Sequence, residues 1–401
     1  MSNRIIATES PSIEDVLETY EVVPGIISLA LGSVHWSPPE EALAKLVPAL
    51  AVRATHRYGN VLGDDDLRDH LKQLVQRQGN SIDMTGMDLT VTAGGNQAFV
   101  NTVLTLLDDK DHAILLAPYY FAHKLGLQMV GATVDVCPFN KSTLEPEWDK
   151  LVEMTQKLRP KMIILTSPNN PSGYVYSEAQ VRRVVEICRD CDAWLVADQT
   201  YHEFLYDDAQ HTYPCGSASA FNYAKIVHLF SFSKLFGMPG WRVGYMVHPE
   251  HLTEHMRKVQ DMIPTHAAVM SQTLALECLP AKDNYTVWAE RTVGSMEPFR
   301  RALWPVVQPL GTVYARGAFY FLVPVPDLVS GWSIEDDEAL HILSTEFKVM
   351  LMTGGAFGAP GHLRVSYGNI KPSEIDSCVD KIKRGFAHLV EMSNARKQAQ
   401  A

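Results

Sequence analysis

Short β-rich runs, most of them largely apolar, recur through the middle of the chain, at residues 89–92, 112–116, 161–166, 193–197, 225–230 and 243–247. Between several of them the apolar residues fall at helical spacing, as in 97–107 and 177–188. Strands that are apolar throughout, rather than on alternate residues, are buried on both faces. Their alternation with helices predicts an α/β protein with a mainly parallel sheet covered by helices on each side. In such sheets ligands sit at the carboxyl ends of the strands. The polar residues Thr92, Thr166, Asp198 and Ser231 stand at or just past four of those ends.

The flanks read differently. A helix is expected over 13–20, then the proline-rich Ser37-Pro38-Pro39. Toward the other end, 318–323 and 363–366 read as strands and 373–392 as a last helix. The expected organisation is an N-terminal arm with part of a smaller α+β domain at 1–50, a large domain at 51–294, and the rest of the small domain at 295–401. No repeat or low-complexity linker interrupts this order.

Composition narrows the class. At 401 residues the chain can bury a sizeable core, and 46% hydrophobic with 20% charged residues is ordinary for a globular protein. A formal charge of −11 argues against nucleic acid as a partner. No apolar run approaches the ~20 residues of a membrane span, and the first thirty residues lack the pattern of a secretory signal. A cytoplasmic location without membrane contact is expected. The cysteines are scattered. Cys188 and Cys191 form a C-x-x-C with no second pair, so they read as two thiols at a helix end and no metal is expected.

The richest stretch is Ser231-Phe232-Ser233-Lys234, with Arg242 eight residues beyond the lysine. It offers an amine, two hydroxyls and a guanidinium just after an apolar strand. A lysine amine can form an imine with an aldehyde, while hydroxyls and arginine bind phosphate. Pyridoxal 5′-phosphate carries both handles. The rival reading of Ser231-x-x-Lys234 as an acyl-enzyme serine needs a Lys-Thr-Gly strand, which this chain lacks. Asp198 can pair with a protonated pyridine nitrogen, and Tyr201 can donate to the ring oxygen O3′. Asn170, in Ser167-Pro168-Asn169-Asn170-Pro171, can reach the same oxygen. The Asn170–Pro171 bond is a candidate for cis geometry, with Ala117–Pro118 a weaker one. Gly95 and Asn96 open a helix whose N–H groups suit a phosphate. Tyr120 can stack on the ring. Arg364, inside an apolar strand, needs an anion, and a substrate carboxylate would pair with it bidentately.

In spacing and order these residues resemble the class I aminotransferases of the pyridoxal-phosphate transferase fold type I. The likeness runs from Gly32 to Arg364. It includes Tyr58-x-x-x-x-Gly63-x-x-x-Leu67-Arg68, Asn170-Pro171-x-Gly173, Asp198-x-x-Tyr201, Ser-x-Ser-Lys234, Arg242 and Arg364. The resemblance implies a homodimer with shared active sites, in which the residue matching Tyr58 reaches the neighbouring subunit's phosphate. It also implies that Gly32 lines the substrate carboxylate. Val34-His35-Trp36, Gly237-Met238 and Val259-Gln260-Asp261 look closest to plant cytosolic aromatic aminotransferases. Amino acid substrates, aromatic or methionine, and 2-oxo acids such as phenylpyruvate or indole-3-pyruvate are then expected, in ping-pong exchange. Trp36 is expected at the substrate, and His35, Trp36, Tyr120 and Phe357 form a possible aromatic pocket. A dicarboxylate would need a second cation, and Arg57 and Arg316 carry no assigned role. Most class I members have Glu where this chain has Gln199, and the plant subgroup shares the departure. The same cofactor residues would also serve a C–S β-lyase or an enzyme resembling aminocyclopropane-carboxylate synthase.

Overall fold

The computed structural model describes residues 1–77, 82–214, 223–279, 282–326 and 334–400. Among these described residues twelve strands appear in chain order. They are β1 (Ile27–Ser28), β2 (Met87–Thr92), β3 (His112–Leu116), β4 (Thr133–Cys137), β5 (Met162–Thr166), β6 (Trp194–Asp198), β7 (Ile226–Ser231), β8 (Gly244–Pro249), β9 (Tyr320–Pro324), β10 (Val349–Met350), β11 (Met352–Thr353) and β12 (His362–Ser366). Seven of them form one sheet in the order β2-β8-β7-β6-β5-β3-β4, and only β8 runs against the others.

Five of the six runs are inner strands, and the sixth, 89–92, is β2 at one edge. Every residue of β5, β6 and β8 is buried. The expected α/β architecture with a mixed, mostly parallel sheet is what forms. One strand of the large sheet escaped the sequence reading, as did the two-residue β1, β10 and β11. β4, Thr-Val-Asp-Val-Cys, lies at the sheet edge and is buried only at Cys137. With one neighbour and a partly exposed face, its sequence carries no continuous apolar signal.

The two chain ends meet. β1 pairs with β10 in parallel, and β9, β12 and β11 form a small antiparallel sheet. Residues following β1 continue along this region, with Leu29 N–H on Met350 O and Ser366 N–H on Leu29 O. Helix Ser12–Tyr20 lays Ile13, Val16, Leu17 and Tyr20 over buried Met350, Met352 and Phe357. A single apolar cluster runs from Leu89 and Val91 of the large sheet to Val323 and Val365 of the small one, so the two sheets share a core.

Two X-Pro bonds are cis, Ala117–Pro118 and Ser167–Pro168. Asn170–Pro171 is not among them, which corrects the sequence expectation. The turn leaves β5 at the earlier proline, and Asn169 Nδ2 ties it to Pro118 O at 2.9 Å. Cys188 and Cys191 share helix Glu178–Cys191 as free thiols. Among the described residues no cluster could hold a metal. Cys215 lies outside the described residues.

Candidate active site

The parallel strands β2, β3, β5, β6 and β7 end on one side of the large sheet, and the small sheet faces those ends. A cavity of about 310 Å³ lies between them. It is lined by Gly32, Gly95, Asn96, Tyr120, Asn170, Asp198, Tyr201, Ser231, Ser233, Lys234, Arg242 and Arg364, twelve of the fourteen residues singled out from the sequence. A larger, more open cavity of about 1010 Å³ contains none of them. The amine, carboxylate and guanidinium groups converge in the smaller one, so the chemistry belongs there.

Lys234 follows β7 and projects into this cavity, where its Nζ donates to Gly32 O. Burial, then the nearby Arg364 and Arg242 charges, pull its amine down to about 8, while Asp198 acts in the opposite sense. A lysine in this state is a usable nucleophile near neutral pH.

Asp198 ends β6 and is 7% exposed. Its Oδ1 accepts from the Thr200 N–H at 3.0 Å and the Thr200 hydroxyl at 2.7 Å, and its Oδ2 lies 3.2 Å from His123 Nε2. Burial pushes the carboxyl up. The bonds from His123 and Thr200 outweigh burial and hold it below the ordinary aspartate value. A carboxylate kept ionised in a closed site is suited to a cationic partner.

At the next strand end, helix Gly95–Leu106 starts beside Ser231, and Ser233 N–H donates to Ser231 Oγ at 3.1 Å. Gly94 sits at φ +88°, and a Cβ there would come 2.5 Å from Arg242 Nη2. Only glycine lets the helix start and the guanidinium approach each other. Free N–H groups, two hydroxyls and Arg242 on one wall make a fitting cradle for a phosphate.

Arg364 comes from β12 and is 2% exposed. Nη1 donates to Asn170 Oδ1 at 2.9 Å and Nη2 to Ala30 O, while Nε has no partner. Its guanidinium lies 4.6 Å over the Phe357 ring and 4.9 Å over the Tyr320 ring. Among the described residues no carboxylate pairs with it. Burial pulls its pKa below the ordinary guanidinium value, against the tyrosines around it.

Two expected residues lie elsewhere. Trp36 does not line the cavity. Its indole N–H donates to the backbone carbonyls of Lys234 at 3.1 Å and Leu235 at 3.2 Å, because a part-buried indole needs an acceptor. It therefore braces the chain that carries Lys234. Tyr58 is 89% exposed beside His266, outside the cavity of its own chain. His35 packs edge-on to Trp36, and Phe357 lies beneath Arg364, so of the four expected pocket aromatics only Tyr120 lines the cavity. Arg316 pairs with Asp208 at 2.6 Å and Arg57 is exposed, and neither is in the lining.

Sequence reasoning missed His123, Thr200 and Tyr320. The first stands three residues after Tyr120 on one helical turn, a spacing that could have flagged it. Tyr320 O–H lies 2.5 Å from Tyr201 O–H, a contact across 119 residues that no local pattern signals. Gln199, buried behind Asp198, bridges His228 Nδ1 at 2.7 Å and His211 Nε2 at 2.5 Å.

The donor set fits pyridoxal phosphate: an amine for the aldehyde, a carboxylate for the ring nitrogen, phenol and amide for the ring oxygen, and a cradle for the phosphate. Arg364 then remains for a further anion.

Known proteins agree with this arrangement. The family described as aminotransferase class I and II matches residues 24–382. Aromatic aminotransferase ISS1 of Arabidopsis thaliana is 33% identical over 97% of both chains. An aspartate aminotransferase of Pyrococcus abyssi is 25% identical over 96% of this chain and 97% of its own. Among solved structures, Thermus thermophilus aspartate aminotransferase with maleate superposes with a TM-score of 0.86 at 24% identity, covering 96% of this chain and 99% of that one. A tetra mutant of that Thermus enzyme complexed with tryptophan gives 0.86 at 25% identity over the same shares. The chain belongs to the class I and II aminotransferases, which are pyridoxal-phosphate enzymes.

Proposed function

We propose that this aminotransferase moves the amino group between an aromatic amino acid or methionine and a 2-oxo acid of the phenylpyruvate or indole-3-pyruvate type, in two ping-pong half-reactions. The observation that carries the reading is Arg364, a buried guanidinium in the cavity with no carboxylate partner among the described residues and one unbonded N–H. A cation held this way lacks its anion, and an α-carboxylate supplies a matching one. The side-chain end favours an apolar group. Ile13, Leu31 and Phe121 line it, and among the described residues no further lysine or arginine joins Lys234, Arg242 and Arg364 in the lining. The 33% identical plant relative carries the name aromatic aminotransferase, which supports the same preference.

Bound pyridoxal phosphate supplies an electron sink for the charge left when a substrate Cα loses its proton. The residues do the rest. Lys234 Nζ would hold the cofactor through its aldehyde and, as a free amine, would take the substrate Cα proton. Asp198 keeps the pyridine nitrogen protonated. Tyr201 and Asn170 hold the ring oxygen, and Tyr120 stacks against the ring. Ser231, Ser233, Arg242 and the N–H groups of Gly95 and Asn96 bind the phosphate, assisted by Tyr58 of the partner subunit. Arg364 orients the carboxylate beside Gly32.

The homodimer belongs to this proposal. Exposed Val52, Tyr58, Met262 and Ile263 support a covered surface in solution. The three-part organisation at 1–50, 51–294 and 295–401, with the chain ends folding over a larger central domain, is part of the same proposal. We also propose that the enzyme works in the cytoplasm; among the described residues no helix is long and apolar enough to cross a membrane.

The test is steady-state exchange with methionine, tryptophan and aspartate as donors to phenylpyruvate. Parallel double-reciprocal lines and formation of phenylalanine are expected, fastest with methionine or tryptophan. Release of pyruvate or another oxo acid with ammonia, and no phenylalanine, would make the enzyme a lyase instead. Exchange with aspartate alone would overturn the side-chain preference.

A further inference from the structure

Tyr320 is the first residue of β9, fully buried and part of the cavity wall. In the antiparallel pairing of β9 with β12, Tyr320 faces Ser366 and Leu322 faces Arg364. Residues two apart on a strand share a face, so Tyr320 and Arg364 are diagonal neighbours on one side of the small sheet. The entry to β9 is pinned: Ala318 N–H donates to Phe204 O at 2.9 Å, and Tyr206 O–H donates to Ala318 O at 2.7 Å. The Tyr320 ring is therefore held in place rather than free to swing.

From that position it touches three parts of the site. Its face lies 4.9 Å from Arg364 Cζ. Its hydroxyl lies 2.5 Å from the Tyr201 hydroxyl, with the rings edge to face at 5.4 Å. The same oxygen would lie 2.6 Å from a Cβ on Gly32, the residue whose carbonyl accepts from Lys234.

The hydrogen-bond directions can be followed from Arg364. Arg364 Nη1 donates to Asn170 Oδ1, so the Asn170 amide turns its Nδ2 toward Tyr201 O–H, at the long distance of 3.5 Å. The Tyr320 and Tyr201 hydroxyl oxygens are in hydrogen-bond contact, and either can donate to the other. When Tyr320 is the donor, Tyr201 has donors on both sides and turns its own hydrogen toward the open direction, the cavity.

We propose that Tyr320 is a positioning residue for two others: its hydroxyl aims the Tyr201 hydrogen into the cavity, and its ring is the platform under the Arg364 guanidinium. The proposal rests on the aminotransferase reading above. It predicts two separable effects, one carried by the oxygen and one by the ring. A donor to the cofactor's ring oxygen favours negative charge there. Weakening that donor raises the pH at which the adjacent lysine–cofactor linkage loses its proton. The cation–ring contact instead favours the Arg364 orientation that receives a carboxylate.

The experiment uses holoenzyme of wild type, Tyr320→Phe, Tyr320→Leu, Tyr201→Phe and the double variant Tyr201→Phe/Tyr320→Phe. Each is followed by visible absorbance against pH and by half-reaction kinetics with an amino acid. Tyr320→Phe keeps the ring. It should raise the spectral midpoint by roughly half a pH unit and leave KM nearly unchanged. In the Tyr201→Phe background the same change should do nothing more, since the oxygen acts only through Tyr201. Tyr320→Leu should also raise KM about tenfold, with a smaller effect on kcat. A wild-type midpoint in Tyr320→Phe, or a shift that adds fully to that of Tyr201→Phe, would overturn the inference. Failure of wild type itself to exchange amino groups would instead sink the underlying functional reading.

Discussion

Replacing Arg364 by methionine separates a residue kept for function from one kept for stability. In the resting protein the guanidinium makes two hydrogen bonds to neutral acceptors, Asn170 Oδ1 and Ala30 O, and two ring contacts with Phe357 and Tyr320. These contribute ~1.5–3 kcal/mol per hydrogen bond and ~0.5–2 kcal/mol per ring. Against them stands the desolvation of a cation that is 2% exposed and has no counter-ion among the described residues, several kcal/mol. The opposing contributions are of similar size. Arg364→Met should therefore change stability by no more than ~1 kcal/mol, a melting shift of a few degrees at most. Transamination should respond very differently. A substrate carboxylate loses two charge-assisted bonds, ~3–6 kcal/mol, which lowers kcat/KM by a factor of about 10² to 10⁴. The assay is a single-turnover half-reaction with phenylalanine, run beside thermal melting. Phenylethylamine, which has no carboxylate, serves as the control. It should react equally slowly with wild type and variant. A variant that melts far lower yet keeps its kcat/KM for phenylalanine would refute the reasoning and return Arg364 to a structural role.

Four further outcomes follow from the same geometry. Because burial and neighbouring cations bring Lys234 to about 8, recombination of apoprotein with pyridoxal phosphate should speed up about tenfold per pH unit below pH 8 and level off above it. Stopped-flow absorbance reads this, and a pH-independent rate would contradict it. The sign for stability is also fixed. The unfolded chain keeps this proton to higher pH than the folded one, so apoprotein stability should gain from Lys234 as pH rises from about 8 toward 10.5. Asp198→Asn removes the charge facing the ring nitrogen and should lower kcat by about 10² to 10³, with the protein still folded by circular dichroism. Gly32→Ala would set a Cβ 2.6 Å from the hydroxyl of the pinned Tyr320 ring, so KM for the amino acid should rise and the melting temperature should fall, both read on the purified variant.

The sheet was legible because its inner strands are buried on both faces and read as unbroken apolar runs. β4 was not, because it is buried only at Cys137, whereas β2 at the other edge buries four consecutive residues and was read. Lys234, Asp198, Ser231 and Arg242 were legible because each sits at or near a strand end, where chain order and ligand position coincide. Trp36 shows where that logic stops: sequence put it near the site but could not say that its indole points at a backbone carbonyl. Tyr320 and His123 were hidden for a related reason. Their roles depend on contacts between elements far apart in the chain, set by the pairing of β9 with β12 and by the helix that follows β3. The Asn170–Pro171 expectation failed because both prolines of that turn could satisfy the same sequence signal, and the chain uses the other.

The measurement that bears most directly on the central claim is the half-reaction without an oxo acid. Purified holoenzyme is mixed separately with methionine, phenylalanine, tryptophan and aspartate, and the cofactor spectrum is recorded. The account predicts that the visible band gives way to that of pyridoxamine phosphate, fastest with an aromatic amino acid or methionine, and that phenylpyruvate restores it. Conversion by aspartate alone, or a band that Lys234→Ala leaves unchanged, would contradict it.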